Sequence, residues 1–122
     1  MITIGVFCHE FGHALGLPDL YDTDSSSEGL GNWALMAGGS YGGDGVHSET
    51  PSHMCAWSKV FLGWVNPTIV SSNTINAQIQ NIENNAQIYK LWTDGNPGTE
   101  YFLVENRYKT GFDTYLYNSG IC

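Results

Sequence analysis

The chain is short of charge, and what it has is one-sided. In 122 residues, 4 Lys+Arg stand against 12 Asp+Glu, a formal net of -8. With no basic stripe to meet a phosphate backbone, nucleic-acid binding is excluded as an expectation. No apolar run reaches the roughly 18 residues a membrane span needs. Cysteine is sparse and widely spaced, at Cys8, Cys55 and Cys122. The absence of a C-x-x-C pair removes zinc ribbons and thioredoxin-like redox motifs. A Cys8–Cys55 bridge is compatible with that spacing but not demanded by it, and the odd cysteine at the last residue suggests a chain cut short. The opening MITIGVFCHE lacks a basic n-region and a small-residue cleavage site, so the leader of an exported protein would lie upstream. Internal repeats and low-complexity tracts are also missing.

What is present suffices for one domain with a real core. The chain is 42% hydrophobic and 13% aromatic, which excludes a disordered acidic tail. Residues 2–15, ITIGVFCHEFGHAL, are almost continuously apolar and predict a largely buried helix from Thr3 to Leu15. Gly16 suits the helix C-terminus, and Pro18 prevents the helix from resuming. Residues 19–50 show no periodic element. They form a long glycine-rich loop anchored by Trp33, Leu35 and Met36, and loops of that length in a compact domain are usually functional. Thr50 and Pro51 read as the N-cap and first position of a second helix ending near Leu62, with Met54, Trp57, Val60 and Phe61 as its packing stripe. Strands are expected at Ile75–Ile79, Ile88–Trp92 and Tyr101–Arg107, the last two joined by a turn at Gly95-Asn96-Pro97-Gly98. Gly111–Cys122 begins a further element that is not finished.

The informative stretch is His9-Glu10-Phe11-Gly12-His13-Ala14-Leu15-Gly16-Leu17-Pro18-Asp19. Residues four apart share a helix face, so His9 and His13 can offer two imidazoles to one ion. Glu10 can reach a water on that ion without occupying the metal itself. Zinc needs a third protein ligand and an open position. Asp19 is the best candidate, because a left-handed Gly16 turns the chain back beneath the helix. His53 is the alternative third ligand, and His47 reads as surface. Two hydrogen-bonded core histidines would be the purely structural explanation, but three linked polar residues in an apolar helix make that arrangement expensive. The chemistry that fits is amide hydrolysis, with Glu10 as general base.

Four segments, HEFGHALGLPDLYD, GNWALMAGG, PSHMCAWSKVFLGWVNP and EYFLVENRYKTGFD, resemble in order the immune-inhibitor-A-type secreted zinc metallopeptidases of the metzincin clan. That resemblance implies His9, His13 and Asp19 as zinc ligands and Glu10 as catalytic base. It implies Met36 as the methionine of the turn beneath the metal, a hydrophobic floor rather than a ligand. The implied fold is α+β: a metzincin-like zincin catalytic domain of which residues 1–122 hold the zinc helix, Met-turn, following helix and C-terminal strands. The N-terminal sheet and C-terminal end of that domain are expected to lie outside this sequence. The implied substrates are proteins or peptides outside the cell, and further domains of the parent protein are expected. Tyr41 follows the Met region and is a candidate phenol donor to the oxyanion. Asp22, Asp24, Glu28 and Asp44 read first as a solvated acidic face and alternatively as oxygen donors for a structural calcium ion, their spacing matching no EF-hand loop. Glu105, Asn106 and Arg107 match a patterned family segment, with strand-end hydrogen bonding or an ion pair as their only physical role.

Overall fold

The computed structural model describes residues 2–92 and 95–122. It divides into two units, Met1–Cys55 with Tyr108–Ser119, and Ala56–Arg107 with Gly120–Cys122. The architecture mixes helix and sheet. No helix among the described residues is long and apolar enough to cross a membrane, and no disulfide joins Cys8, Cys55 or Cys122.

The first unit is built on α1, Ile4–Ala14. The helix ends as its sequence dictates. Gly16 takes φ 95°, its N–H donates to His13 O at 2.9 Å, and Leu17 N–H donates to Gly12 O at 3.1 Å. This pair of bonds is a Schellman closure, which reverses the chain and satisfies two orphan carbonyls. Beyond it the glycine-rich loop forms two short 3-10 helices, Gly31–Trp33 and Gly38–Tyr41. Leu17, Ala34, Leu35, Met36, Ala37 and Met54 are buried in this unit.

The expectation that α1 is largely buried is wrong. Only Gly5 and Gly12 are buried along it, while Ile4, Phe7 and Phe11 are 50–64% exposed. Burial follows the small residues because they allow close approach. A Cβ at Gly5 would overlap Ser40 O, and one at Gly12 would overlap Met36 Sδ.

The second unit carries α2, Ala56–Phe61, and a three-stranded sheet of β1 Thr68–Val70, β2 Tyr89–Trp92 and β3 Tyr101–Val104. β1 pairs parallel with β2, and β2 antiparallel with β3 in the register Tyr89 to Val104 and Trp92 to Tyr101. The expected strand Ile88–Trp92 thus forms from Tyr89, whereas Tyr101–Arg107 does not form as one strand, because β3 ends at Val104 and residues 106–107 pair in a second sheet; Gly95 takes φ 69°, and Thr93 and Asp94 lie outside the described residues. β4, Asn106–Arg107, pairs antiparallel with β5, Gly120–Ile121, so part of the expected unfinished segment completes a two-stranded ladder. The core of this unit is Ala56, Val65, Ile82 and Ile88, flanked by Val60 and Leu103.

Two further expectations fail here. The second helix starts at Ala56 rather than Pro51, because tertiary bonds claim the intervening backbone: Ser52 N–H donates to Gly39 O at 2.8 Å and His53 O accepts from Leu35 N–H at 3.2 Å. Its buried residues are Ala56, Ser58 and Lys59; Phe61, on the expected stripe, is exposed and stacks on Trp57. Ile75–Ile79 forms no strand. Asn76 sits at φ 56°, which breaks an extended run, and Ile75 is 86% exposed. Glu105 and Arg107 do make the expected ion pair, within a wider buried set. Glu105 bridges Lys59 Nζ at 2.7 Å and Arg107 Nη1 at 3.1 Å, and Arg107 Nε lies 3.5 Å from Glu83. Asn106 Nδ2 donates to Ile79 O at 2.8 Å.

Candidate metal centre

The Schellman closure at Gly16 returns the chain beneath α1 and delivers Asp19 to the two histidines. Asp19 Oδ1 lies 3.0 Å from His9 Nε2 and 3.2 Å from His13 Nε2. The two rings stand edge to face, with centroids 4.9 Å apart. One ligand atom from each of the three residues falls within 4.8 Å of the others, the one such cluster of three metal-ligating groups among the described residues.

The ring tautomers decide what this cluster can hold. His9 Nδ1 donates to Leu35 O at 2.9 Å, and His13 Nδ1 donates to Leu17 O at 2.8 Å. A carbonyl only accepts, so each Nδ1 carries the proton and each neutral ring turns a bare Nε2 lone pair inward. Two lone pairs then face one carboxylate oxygen, an arrangement that repels unless a cation or proton lies among them. Donors about 2.0–2.1 Å from a tetrahedral zinc sit about 3.3–3.4 Å from one another, close to the 3.0 and 3.2 Å separations found. The residues therefore fit a zinc ion. The same surroundings favour a proton: the Leu17 carbonyl, against an opposing effect of burial, together with the charges of Asp19 and Glu10, raises the His13 pKa above its ordinary value.

Glu10, one residue after the first ligand, is exposed and lines a cavity of about 400 Å³ with Val6, His9, Tyr21, Ser40 and Tyr41. Tyr41, the candidate phenol donor, is thus on the wall of the same cavity, 56% exposed. Tyr21 was not anticipated. The Asp19 carboxylate raises the pKa of its phenol, by hydrogen-bonding interaction first and by charge second. Its place two residues after Asp19, on the segment that the glycine turn aims at the metal, was the signal available.

Met36 is fully buried against Gly12, between the two histidines of α1. Its carbonyl accepts Leu20 N–H at 2.7 Å, which ties the methionine turn to the residue after Asp19. The remaining candidates stay apart. His53 is not among the clustered ligands. His47 is no bulk surface residue: its ring stacks on Tyr115 at 3.7 Å and its Nδ1 lies 2.6 Å from Asp44 Oδ2. The acidic loop does not assemble a second cluster among the described residues. Asp22 accepts from Asp24 N–H and Ser26 Oγ, and Asp24 from Ser26 N–H, so these carboxylates cap their own turns.

Residues 2–65 match the family described as immune inhibitor A peptidase M6, catalytic domain. The chain is 37% identical over 82 residues to the pre-pro-metalloprotease PrtV of Vibrio cholerae serotype O1, a match covering 61% of this chain and 9% of that protein. It is 36% identical over 84 residues to immune inhibitor A of Bacillus thuringiensis subsp. alesti, covering 62% and 12%. The chain thus spans about a tenth of the length of these curated relatives. No solved structure gives a significant match.

Proposed function

The chain belongs to the immune inhibitor A peptidase M6 family, and on that premise we propose that it is part of a zinc-dependent endopeptidase that hydrolyses peptide bonds in extracellular proteins. The carrying observation is the pair of inward-facing Nε2 atoms converging on one oxygen of Asp19. His9, His13 and Asp19 would hold the zinc. When bound, zinc supplies the Lewis acidity that lowers the pKa of water and polarises the scissile carbonyl.

Glu10 is the general base. It shares the cavity wall with His9, takes a proton from the attacking water and passes it to the leaving amide nitrogen. Leu35 O and Leu17 O hold the two ligand rings in orientation. Met36 forms the hydrophobic floor of a metzincin-like Met-turn, and Tyr41, on the same cavity wall, would donate its phenol to the oxyanion. Residues 1–122 then form part of a larger catalytic domain in a secreted parent protein with further domains.

The test is zinc content and casein hydrolysis by the full-length protein beside its Glu10→Ala variant. One zinc per chain in both, with turnover falling about 10²–10⁴-fold in the variant, is the expected result. Stoichiometric zinc with no hydrolysis by the wild type would replace this reading with an inactive zinc-binding homologue or a secreted binding module. Absence of zinc from folded protein would overturn the ligand assignment.

A further inference from the structure

His13 and His9 are oriented by different means. His13 donates to Leu17 O, in the turn that ends its own helix. His9 donates to Leu35 O, 26 residues away, and Leu35 is itself held from further off. Leu35 N–H donates to His53 O at 3.2 Å, and His53 N–H donates to Asp113 Oδ1 at 2.9 Å. Three hydrogen bonds in series thus run from the His9 ring to a carboxylate that is fully buried.

The far end of this series is fixed. Asp113 lies in the 3-10 turn Gly111–Tyr115, where its N–H donates to Thr110 O and its carbonyl accepts from Leu116 N–H, each at 3.0 Å. The neighbouring Tyr115 ring stacks on His47, nearly parallel at 2°. Leu116 is 1% exposed and packs so closely on Gly43 that a Cβ there would meet its backbone. The carboxylate that accepts the His53 N–H is thus held by its own turn, and Asp113 is suited to act as an anchor.

We infer that Asp113 is a positioning residue for the metal centre, setting the orientation of His9 through the backbone of His53 and Leu35. The inference rests on the zinc reading of the cluster. Without the anchor, the His53 and Leu35 segments gain freedom, the Leu35 carbonyl drifts, and the His9 ring loses the bond that aims its Nε2. His13 keeps its local bond. The two ligands should therefore respond differently, which general loosening of the fold would not produce.

The experiment compares full-length wild type, Asp113→Ala and Asp113→Asn. Zinc affinity is measured by chelator competition, and solvent exchange of the His9 and His13 Nδ1 protons by NMR on the zinc-loaded proteins. Outer partners of metal ligands typically contribute 10–100-fold to metal affinity. Asp113→Ala should weaken zinc binding by about 10-fold, the low end of that range, and speed exchange at His9 while leaving His13 unchanged. Asp113→Asn, whose side-chain oxygen still accepts from His53 N–H, should restore both. Unchanged affinity, equal responses at the two histidines, or an Asn variant as poor as Ala would each overturn the inference.

If Asp113→Ala does not fold, wild-type exchange decides. The His53 and Leu35 amides and the His9 ring proton should open as one unit, and unrelated rates would overturn the coupling. Wild type that takes up no zinc overturns the metal reading and this inference together. A zinc-loaded wild type beside an Asp113→Ala variant of equal affinity overturns the inference alone.

Discussion

The contact between Gly12 and Met36 allows a prediction whose sign changes with background. Gly12 lies inside α1, where replacing glycine by alanine would ordinarily stabilise a helix by about 1 kcal/mol. Here the new methyl would overlap Met36 Sδ, and Met36 has no exposed surface into which to retreat. Overpacking a core by one methyl typically costs about 1–3 kcal/mol, so Gly12→Ala alone should destabilise by about 1 kcal/mol net. Met36→Ala should cost about 2–5 kcal/mol through lost burial and the cavity left behind. In that cavity the methyl at position 12 meets no sulfur. It then contributes its helix preference and about 0.8 kcal/mol of burial, stabilising by nearly 2 kcal/mol. The expected coupling is about 2–3 kcal/mol, near the top of the range for residues in contact. Native-state hydrogen exchange of the α1 amides in the full-length protein reads the local opening free energy of all four variants. If Gly12→Ala has the same effect on both backgrounds within about 0.5 kcal/mol, the two side chains are not in contact and Met36 is not the floor beneath the histidines.

Other perturbations separate the roles of individual residues. Asp19→Ala should abolish stoichiometric zinc uptake while His53→Ala retains it, as measured by metal analysis after dialysis; the reverse would exchange their assignments. Lys59→Ala strands the Glu105 carboxylate, 3% exposed, and removing one member of a buried pair costs about 3–5 kcal/mol; a shift of the denaturation midpoint worth under about 1 kcal/mol would show that the remaining Arg107 contact compensates. Asp44 is pushed up by burial but held below its ordinary pKa overall by the N–H groups of Val46 and His47 and by the His47 ring. A depressed carboxylate contributes stability that is fully present above its unfolded value of about 3.9 and is lost as pH falls through the lower folded value. Melting temperature should therefore drop more steeply below about pH 4 in the wild type than in Asp44→Asn, and parallel curves would refute the pairing.

The parts of the fold that were legible in the sequence are those written by local rules. The apolar run, Gly16 and Pro18 define α1 within a residue at each end, and runs of β-formers on either side of the Gly95–Gly98 turn define β2 and β3. Local rules misled wherever a distant group had a prior claim on the backbone. Thr50 and Pro51 form a good helix start, yet Thr50 Oγ1 bonds back to His47 O and Ser52 N–H goes to Gly39 O, so α2 begins five residues later. The alternation at Ile75–Ile79 was the right pattern for a strand, but it contains a left-handed Asn76. β1 went unread because three residues carry too little periodicity to register, and its order comes from its parallel partner β2.

At the site, which three residues come together was readable and the orientation of the rings was not, because the orienting groups are carbonyls, which every residue possesses. Those carbonyls come from particular places. Leu17 donates its N–H to Gly12 O to close α1 and offers its own carbonyl to His13, so one residue both ends the helix and fixes a ring tautomer. Leu35 offers its carbonyl to His9, and the next residue, Met36, uses its carbonyl to hold Leu20 beside Asp19. The segment carrying Asp19 and the segment carrying Met36 therefore also orient the two rings. That shared use explains why the glycine and aspartate beyond the histidine pair matter physically. A bare pair of histidines four residues apart puts two imidazoles on one face, whereas the turn at Gly16 supplies a carboxylate oxygen beside them and a tautomer-setting acceptor in a single reversal of the chain.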